Sequence, residues 1–175
     1  MRLVSETRGI EKLRQIRLEF AAEIRGSYEH KAKPCTLCES PGICCRDEHF
    51  VNVRITRLEA AAIVRRLDEL GEYKRNEVRK RAGEAIDKYE LSAPGDSLVK
   101  TYACPLFEKG IGCLVHDTAK PLPCIAHACY ENEADLPPGE VLEEKETLIA
   151  DLNRRVYGKR SLPVSIPIAI AGPPF

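Results

Sequence analysis

Tryptophan is absent from this 175-residue chain, methionine occurs once, and phenylalanine and tyrosine together make up only 6% of it. Apolar residues nevertheless amount to 43%, which is enough for a hydrophobic core with few aromatic side chains. The length matches one ordinary domain, which has between about 50 and 250 residues. We therefore expect a single, mainly aliphatic core.

A net charge is also lacking, because 27 Lys and Arg residues balance 27 Asp and Glu residues. No field of one sign would attract nucleic acid or an anionic membrane, so we predict neither as a partner. The sequence has no apolar run of the roughly 18 residues that a membrane helix needs, and no secretory pattern at its start. These absences predict a cytoplasmic protein.

Cysteine is plentiful, with eight residues in two groups that a long cysteine-free stretch separates. The first group reads Cys35-x2-Cys38-x5-Cys44-Cys45, and the second reads Cys104-x8-Cys113-x10-Cys124-x4-Cys129. Standing disulfides are rare in a reducing compartment. Thiolates spaced this closely suit a metal centre, where Zn–S bonds of about 2.3 Å require ligands that converge on one point. The two groups could close one shared centre or two separate ones.

The pairs inside the first group differ in what they indicate. Cys35 and Cys38 form a C-x2-C motif, which serves metal binding or redox exchange. Pro34 and Pro41 flank the motif, whereas a redox motif opens a helix in a βαβ unit, so metal ligation is favoured. The adjacent pair Cys44-Cys45 could serve two centres, or one of them could bind metal while the other packs as a small apolar residue.

Apolar periodicity predicts a mainly helical scaffold. From Ile10 to Gly26 the apolar residues recur every three or four positions, which predicts an amphipathic helix packed on its own domain. Thr56-x-x-Glu59 fits a capping box and predicts a helix from Thr56 to about Leu70, followed by a second from Tyr73 to Leu91. A last helix is predicted over Gly139–Tyr157.

Short strands complete the predicted fold, at His49–Ile55, Thr101–Phe107 and Gly112–His116. In the tail, Leu162–Ile170, two prolines exclude a central strand and favour an edge strand or an extended arm. The fold class is therefore mainly α with a small β region (α+β), in which cysteine-rich loops close around a metal centre. We expect an N-terminal helix at 1–30, a cysteine-cluster domain at 31–160 and an extended Pro-rich arm at 161–175.

The motifs together resemble the zinc- or iron-chelating cysteine-cluster family of YkgJ type, from Cys35 to about Cys129. The family pattern has an early C-x2-C and CC, then a Thr-x-x-Glu helix start, then further cysteines, and Cys104-Pro-Leu-Phe, Cys113-Leu-Val-His116 and Lys120-Pro-Leu-Pro-Cys124 follow it in order. This chain departs from the family in four respects: the longer spacing from Cys38 to Cys44, His116 in place of tyrosine, and Lys120 and Ile125 in place of arginines.

The resemblance implies a bound metal, either zinc or an iron–sulfur centre, and little about a reaction. Thiolate abundance slightly favours iron–sulfur. We predict as ligands all eight cysteines: Cys35, Cys38, Cys44, Cys45, Cys104, Cys113, Cys124 and Cys129. Two histidines near them, His127 and His116, are further candidates, although such histidines often donate to a ligand sulfur instead.

Three functions follow from these ligands. The first is a metal-binding cysteine-cluster protein, the second an iron–sulfur redox protein or accessory oxidoreductase, and the third a zinc-dependent hydrolase. The sequence has none of the common hydrolase or nucleotide-binding motifs, so enzyme activity and catalytic residues stay open. A protein partner could dock through the N-terminal helix or the C-terminal arm.

Overall fold

A computed structural model of the chain describes residues 3–34, 37–46, 51–92 and 100–172. These residues form helices α1 (Glu6–Ser27), α2 (Arg57–Glu69), α3 (Glu72–Lys88), α4 (Leu122–Ala126), α5 (Gly139–Tyr157) and α6 (Ile166–Ala171). They also form the two-residue strands β1 (Ala32–Lys33), β2 (Arg54–Ile55), β3 (Phe107–Glu108), β4 (Gly112–Cys113), β5 (Cys129–Tyr130) and β6 (Val164–Ser165). The predicted fold class, mainly α with a small β region, is confirmed. None of the helices in the described ranges is both long and apolar enough to cross a membrane.

The chain divides into two compact units, and each unit combines two separate parts of the sequence. The first unit comprises Met1–Pro41 and Pro121–Arg160, and the second comprises Gly42–Lys120 and Ser161–Phe175. The predicted boundary between residues 160 and 161 coincides with a boundary between these units, whereas the one between residues 30 and 31 lies inside the first unit. The units instead follow which helices and strands pair with each other.

Helix α1 is the longest element of the first unit, and the predicted N-terminal amphipathic helix is confirmed. Its side chains Leu13, Phe20 and Ile24 are buried, in a unit where α1 packs on α4 and α5. The Ser5 hydroxyl accepts a hydrogen bond from the Arg8 amide, which satisfies one of the orphan donors at the helix start. The apolar stripe therefore packs on its own unit.

The first unit also contains a small antiparallel sheet that the sequence did not predict. Strands β1 and β5 pair with Ala32 opposite Tyr130 and Lys33 opposite Cys129. Directly after β1 the chain turns, since the Leu37 amide donates to the Pro34 carbonyl at 2.9 Å. This pairing joins the segment before the first cysteines to a segment in the last third of the chain.

The second unit is built on α2, α3 and α6. The predicted capping box opens α2: the Thr56 hydroxyl accepts from the Glu59 amide, and the Glu59 carboxylate accepts from the Thr56 amide at 2.8 Å. A core of aliphatic side chains lies among the three helices, including Leu58, Ile63, Leu67, Val78, Ile166 and Ile170. Few aromatic side chains enter it, as the composition predicts.

The predicted extended tail is wrong over its central part. Strand β6 at Val164–Ser165 pairs with β2, as an extended segment can, but α6 follows immediately. Pro167 lies in the first turn of α6, where the backbone N–H has no partner within the helix. Proline there is compatible with a helix, so its presence excluded a central strand without requiring an extended arm.

The remaining strands are shorter than predicted. Of the predicted strand His49–Ile55, only Arg54–Ile55 is a strand, and residues 47–50 lie outside the described residues. The second and third predicted strands form a hairpin, but only through β3 and β4. Buried Tyr102, which precedes this hairpin, donates its hydroxyl to the Val53 carbonyl and accepts from the Ile166 amide at 3.2 Å.

Candidate metal centre

The grouping of the cysteines by structural unit differs from their grouping along the sequence. Cys38, Cys124 and Cys129 belong to the first unit, and Cys35 lies outside the described residues. The second unit contains Cys44, Cys45, Cys104 and Cys113. All seven described cysteines are thiols rather than disulfides; Cys129 is exposed and the other six are half-buried. Each unit thus combines cysteines from both groups in the sequence.

In the second unit, a tight turn carries Cys44 and Cys45. Gly42 has a left-handed backbone conformation with a φ of 82°, and a 3₁₀ turn follows over Ile43–Cys45. The Cys45 amide donates to the Gly42 carbonyl at 2.9 Å and closes this turn. The Phe107 ring lies against the bare Cα of Gly42, where a side chain would overlap it. Gly42 therefore permits both the turn and the close approach of the ring.

The loop that carries Cys104 runs beside this turn. The Cys104 amide donates to the Cys45 carbonyl at 2.9 Å, which joins the two cysteine-bearing segments directly. The Phe107 amide then donates to the Cys104 carbonyl at 3.1 Å and starts the hairpin. These backbone bonds fix Cys104 next to Cys45 without any metal.

The hairpin brings Cys113 to the same region. In the β3–β4 ladder Cys113 lies opposite Phe107, whose ring already touches Gly42. Beyond the ladder the Leu114 amide donates to the Leu106 carbonyl at 3.0 Å. The four cysteines of the second unit therefore converge from a turn, a loop and a hairpin.

Helix α3 holds this hairpin and its approach. The Lys74 ammonium pairs with the Glu108 carboxylate, with N–O distances of 2.8 and 2.7 Å, and both side chains are about three-quarters buried. Further along α3, Arg81 donates its Nε–H to the Pro105 carbonyl at 3.0 Å. The hairpin and the loop before it are thus anchored to α3.

The electrostatics of this set show that its sulfurs interact. The pKa of the Cys45 thiol is raised well above its usual range, first by its hydrogen bond with Cys44, then by burial, and then by the nearby charges of Cys104, Cys44 and Cys113. Ionising several thiols in one half-buried place is unfavourable because the thiolates repel each other. A bound cation reverses this penalty, since it attracts every thiolate at once.

The donor chemistry of this set fits a soft metal. Thiolate sulfur is the ligand that zinc and iron–sulfur clusters prefer in proteins. In the part of the chain that the structure describes, no three Cys, His, Asp or Glu side chains already stand in an arrangement that could hold a metal ion. Closing a shell on these four sulfurs would therefore require their side chains to move closer together.

In the first unit, the cysteines are placed by a short helix and the β1–β5 sheet. Cys124 lies within α4, whose start is fixed by Pro121 and Pro123, and α4 packs on α1 and α5. Cys129 opens β5 opposite Lys33. Cys38 directly follows the turn closed by Pro34 and Leu37.

The two histidine candidates are each linked to a cysteine-bearing segment through the backbone. His116 follows β4, and its amide donates to the Cys113 carbonyl at 3.1 Å. His127 caps the end of α4, and its amide donates to the Pro123 carbonyl at 3.1 Å. Both side chains are exposed. Metal ligation by either histidine stays a prediction.

The sequence reasoning missed the residues that shape the site rather than supply sulfur. Gly42 and Phe107 form the contact beneath the cysteine turn, and Lys74 and Glu108 fix the hairpin. The dipeptide Pro41-Gly42 was a usable signal for the turn. The partners Phe107 and Glu108 had no local signal, because their roles depend on contacts with distant residues.

Comparison with known proteins adds nothing to this geometry. No protein-family model, curated protein or solved structure matches the chain. The resemblance to the cysteine-cluster family therefore stays a prediction, and the site must be interpreted from its own residues.

Proposed function

We propose that this chain is a metal-binding cysteine-cluster protein in which Cys44, Cys45, Cys104 and Cys113 hold zinc or an iron–sulfur cluster. The observation that carries the proposal is the convergence of these four thiols within one unit. Cys44 and Cys45 are neighbours in one turn, and the Cys104 amide donates a hydrogen bond to the Cys45 carbonyl. Cys113 lies in the β3–β4 hairpin. Four sulfurs match the ligand number of a structural zinc site or of a cluster.

The metal would link loops that the protein alone connects weakly. The segment from Gly42 to Cys45 is hydrogen-bonded to the Cys104 loop by the Cys104 amide, and the hairpin is anchored to α3 mainly by polar contacts. Metal–thiolate bonds would join these segments covalently, and metal binding of this kind contributes directly to folding stability. The function is then structural if the metal is zinc, and it includes electron transfer if the metal is an iron–sulfur cluster.

The donor set argues against the zinc-hydrolase alternative. A catalytic zinc site keeps one position for water and uses three protein ligands. Four thiols are gathered here, and four thiolates would fill a tetrahedral shell. The iron–sulfur redox alternative needs no open position, so it is retained as the second candidate.

The test is metal analysis of protein purified without oxygen and without added metal. Iron, zinc and acid-labile sulfide per chain are measured together with the visible absorption spectrum. Matched iron and sulfide with a brown colour support the redox form, and zinc without colour supports the structural form. Folded protein, judged by its far-ultraviolet circular dichroism, that contains neither metal nor sulfide and does not bind zinc or cobalt would refute the proposal.

Two variants test whether the metal binds at this site. Cys45→Ser removes the sulfur at the centre of the set and is expected to weaken zinc or cobalt binding at least tenfold, because one of four ligands is lost. Ile111→Ser changes an exposed residue at the tip of the same hairpin and is expected to leave binding unchanged. Equal binding by both variants and the unsubstituted chain would contradict the assignment of Cys45 as a ligand.

A further inference from the structure

The regrouping of the cysteines has a physical cause in the first unit. Strands β1 and β5 are antiparallel, with Lys33 opposite Cys129. In an antiparallel pair, residues that follow one strand run beside residues that precede the other. The chain that follows Lys33 therefore leaves the sheet at the same end as the segment between α4 and β5.

Cys124 belongs to the same unit, in α4. Only five positions separate Cys124 from Cys129, and the Tyr130 amide bonds back to the Ala128 carbonyl at 3.0 Å, which tightens the connection before the strand. Cys38 approaches from the other strand, after the turn that the Leu37 amide closes on Pro34. These three described thiols thus belong to one unit, with Cys129 in the ladder itself, although they do not already stand in an arrangement that could hold a metal ion.

We propose that this end of the β1–β5 ladder is a second metal centre, held by the thiolates of Cys38, Cys124 and Cys129, so that each unit carries its own centre. The inference rests on the proposed function, since it assumes that the thiolates of this chain bind metal. Cys35, another of the predicted ligands, lies outside the described residues. Each centre would then draw on both cysteine groups of the sequence.

In this proposal, each cysteine group of the sequence is divided between two centres. The first sequence group would be divided after Cys38, and the second would be divided after Cys113. A prediction from spacing alone gives the opposite division, in which the first four cysteines form one centre and the last four the other. Two double variants with equal numbers of substitutions distinguish these divisions.

The first double variant, Cys38→Ser with Cys45→Ser, changes one sequence group but both proposed centres. The second, Cys45→Ser with Cys104→Ser, changes both sequence groups but only the centre of the second unit. Each full-length protein is reduced, stripped of metal with a chelator and titrated with cobalt(II) in competition with a chelating dye. The readout is the number of sites that keep the affinity of the unsubstituted chain.

We expect about two cobalt sites in the unsubstituted chain, one for each set of thiolates. The first double variant should keep no site of full affinity, and the second should keep one. The reverse result would overturn the proposal in favour of centres that follow the sequence groups. If both double variants lose every site, a single shared centre is indicated and the proposal also fails.

A third double variant, Cys38→Ser with Cys129→Ser, tests the first unit by itself. It should lose one site and keep the other at full affinity. If it keeps every site of the unsubstituted chain, the second centre does not exist, whereas the proposed function still stands. If the unsubstituted chain binds no cobalt, the proposed function itself fails, and the two failures are thereby distinguished.

Thiol labelling of the unsubstituted chain gives the same information without substitutions that could disturb folding. The zinc-loaded protein is exposed to increasing chelator, labelled with an alkylating reagent and digested for mass spectrometry. Cys38, Cys124 and Cys129 should become reactive together, in a step distinct from that of Cys44, Cys45, Cys104 and Cys113. Simultaneous labelling of all these cysteines would overturn the two-centre proposal.

Discussion

Substitution of Gly42 by alanine should disturb the cysteine turn from a position that contributes no sulfur. Gly42 has a φ of 82°, a left-handed conformation that favours glycine. An added Cβ would overlap the Cζ and Cε2 atoms of Phe107 and lie 3.0 Å from its Cε1 atom. Gly42→Ala therefore combines a backbone penalty with a packing clash, directly before Cys44 and Cys45.

Gly110 provides a matched control in the same unit. Its φ is 84°, nearly that of Gly42, but a Cβ added there would meet nothing within 4 Å. Gly110→Ala should therefore cost only the left-handed penalty of about 1–2 kcal/mol. Gly42→Ala adds an overpacking penalty of about 1–3 kcal/mol, so we expect a total loss of about 2–5 kcal/mol in the free energy of unfolding.

Urea unfolding of the reduced, metal-free proteins measures this difference, provided that the slopes of the transitions agree. Cobalt titration of the same proteins should show weaker binding for Gly42→Ala, because moving Phe107 displaces the hairpin that carries Cys113. Gly110→Ala should bind cobalt as the unsubstituted chain does. Equal destabilisation by the two substitutions would refute the reasoning, since it would mean that the ring of Phe107 does not occupy the space beside Gly42.

Two further predictions concern the contacts that hold the second unit together. Tyr102→Phe should lower the free energy of unfolding by about 2 kcal/mol in urea, because it leaves a half-buried carbonyl and a buried amide without their hydroxyl partner; an unchanged midpoint would contradict this. Lys74→Met should cost about 1 kcal/mol, since Glu108 then keeps a largely buried charge without its partner. Lys80→Met is the control, because it removes a largely exposed lysine that lies 3.8 Å from its carboxylate partner, and it should lower the free energy of unfolding by less. If both variants lose a similar free energy of unfolding, the Lys74 ion pair contributes no more than an exposed one.

The parts of the fold that the sequence predicted are those with local causes. The capping box at Thr56 and Glu59 lies within one turn of helix, and both of its hydrogen bonds form. Helix α5 has the predicted bounds Gly139–Tyr157, and Gly158 ends it with a φ of 77°. In each case, the residues that determine the structure are within a few positions of each other.

The parts that failed depend on pairing between distant residues or on a rule applied too broadly. Nothing near Ala32 and Lys33 indicates a strand, because the partner of β1 is almost a hundred residues away, at Cys129 and Tyr130. In the tail, proline was taken as evidence for extended chain, although the first turn of a helix accepts it equally well. The buried face of α6 then stabilises the helix through its contacts with α3.

The candidate site also combines features with local causes, which the sequence predicts, and features that depend on distant residues, which it does not. The sequence predicts cysteine as the residue type that would supply the ligands, because thiolate chemistry is a property of cysteine itself. It could not predict which cysteines lie in the same unit, because that grouping depends on the Cys104 amide meeting the Cys45 carbonyl and on the register of β1 with β5. Spacing describes only how far apart ligands are along the chain, whereas a metal selects ligands by their distance in space.

The chemistry available to the second unit follows from this grouping. Its four sulfurs belong to segments of one unit, and a backbone hydrogen bond from Cys104 to Cys45 joins two of those segments. Four thiolates leave no position where a substrate could reach zinc, and they transfer enough charge to the metal to make it a weak Lewis acid. If the proposed centre forms, its composition suits it to stabilising loops or to exchanging electrons, and the half-buried cysteines fit both roles. The identity of the metal would then decide between these two roles.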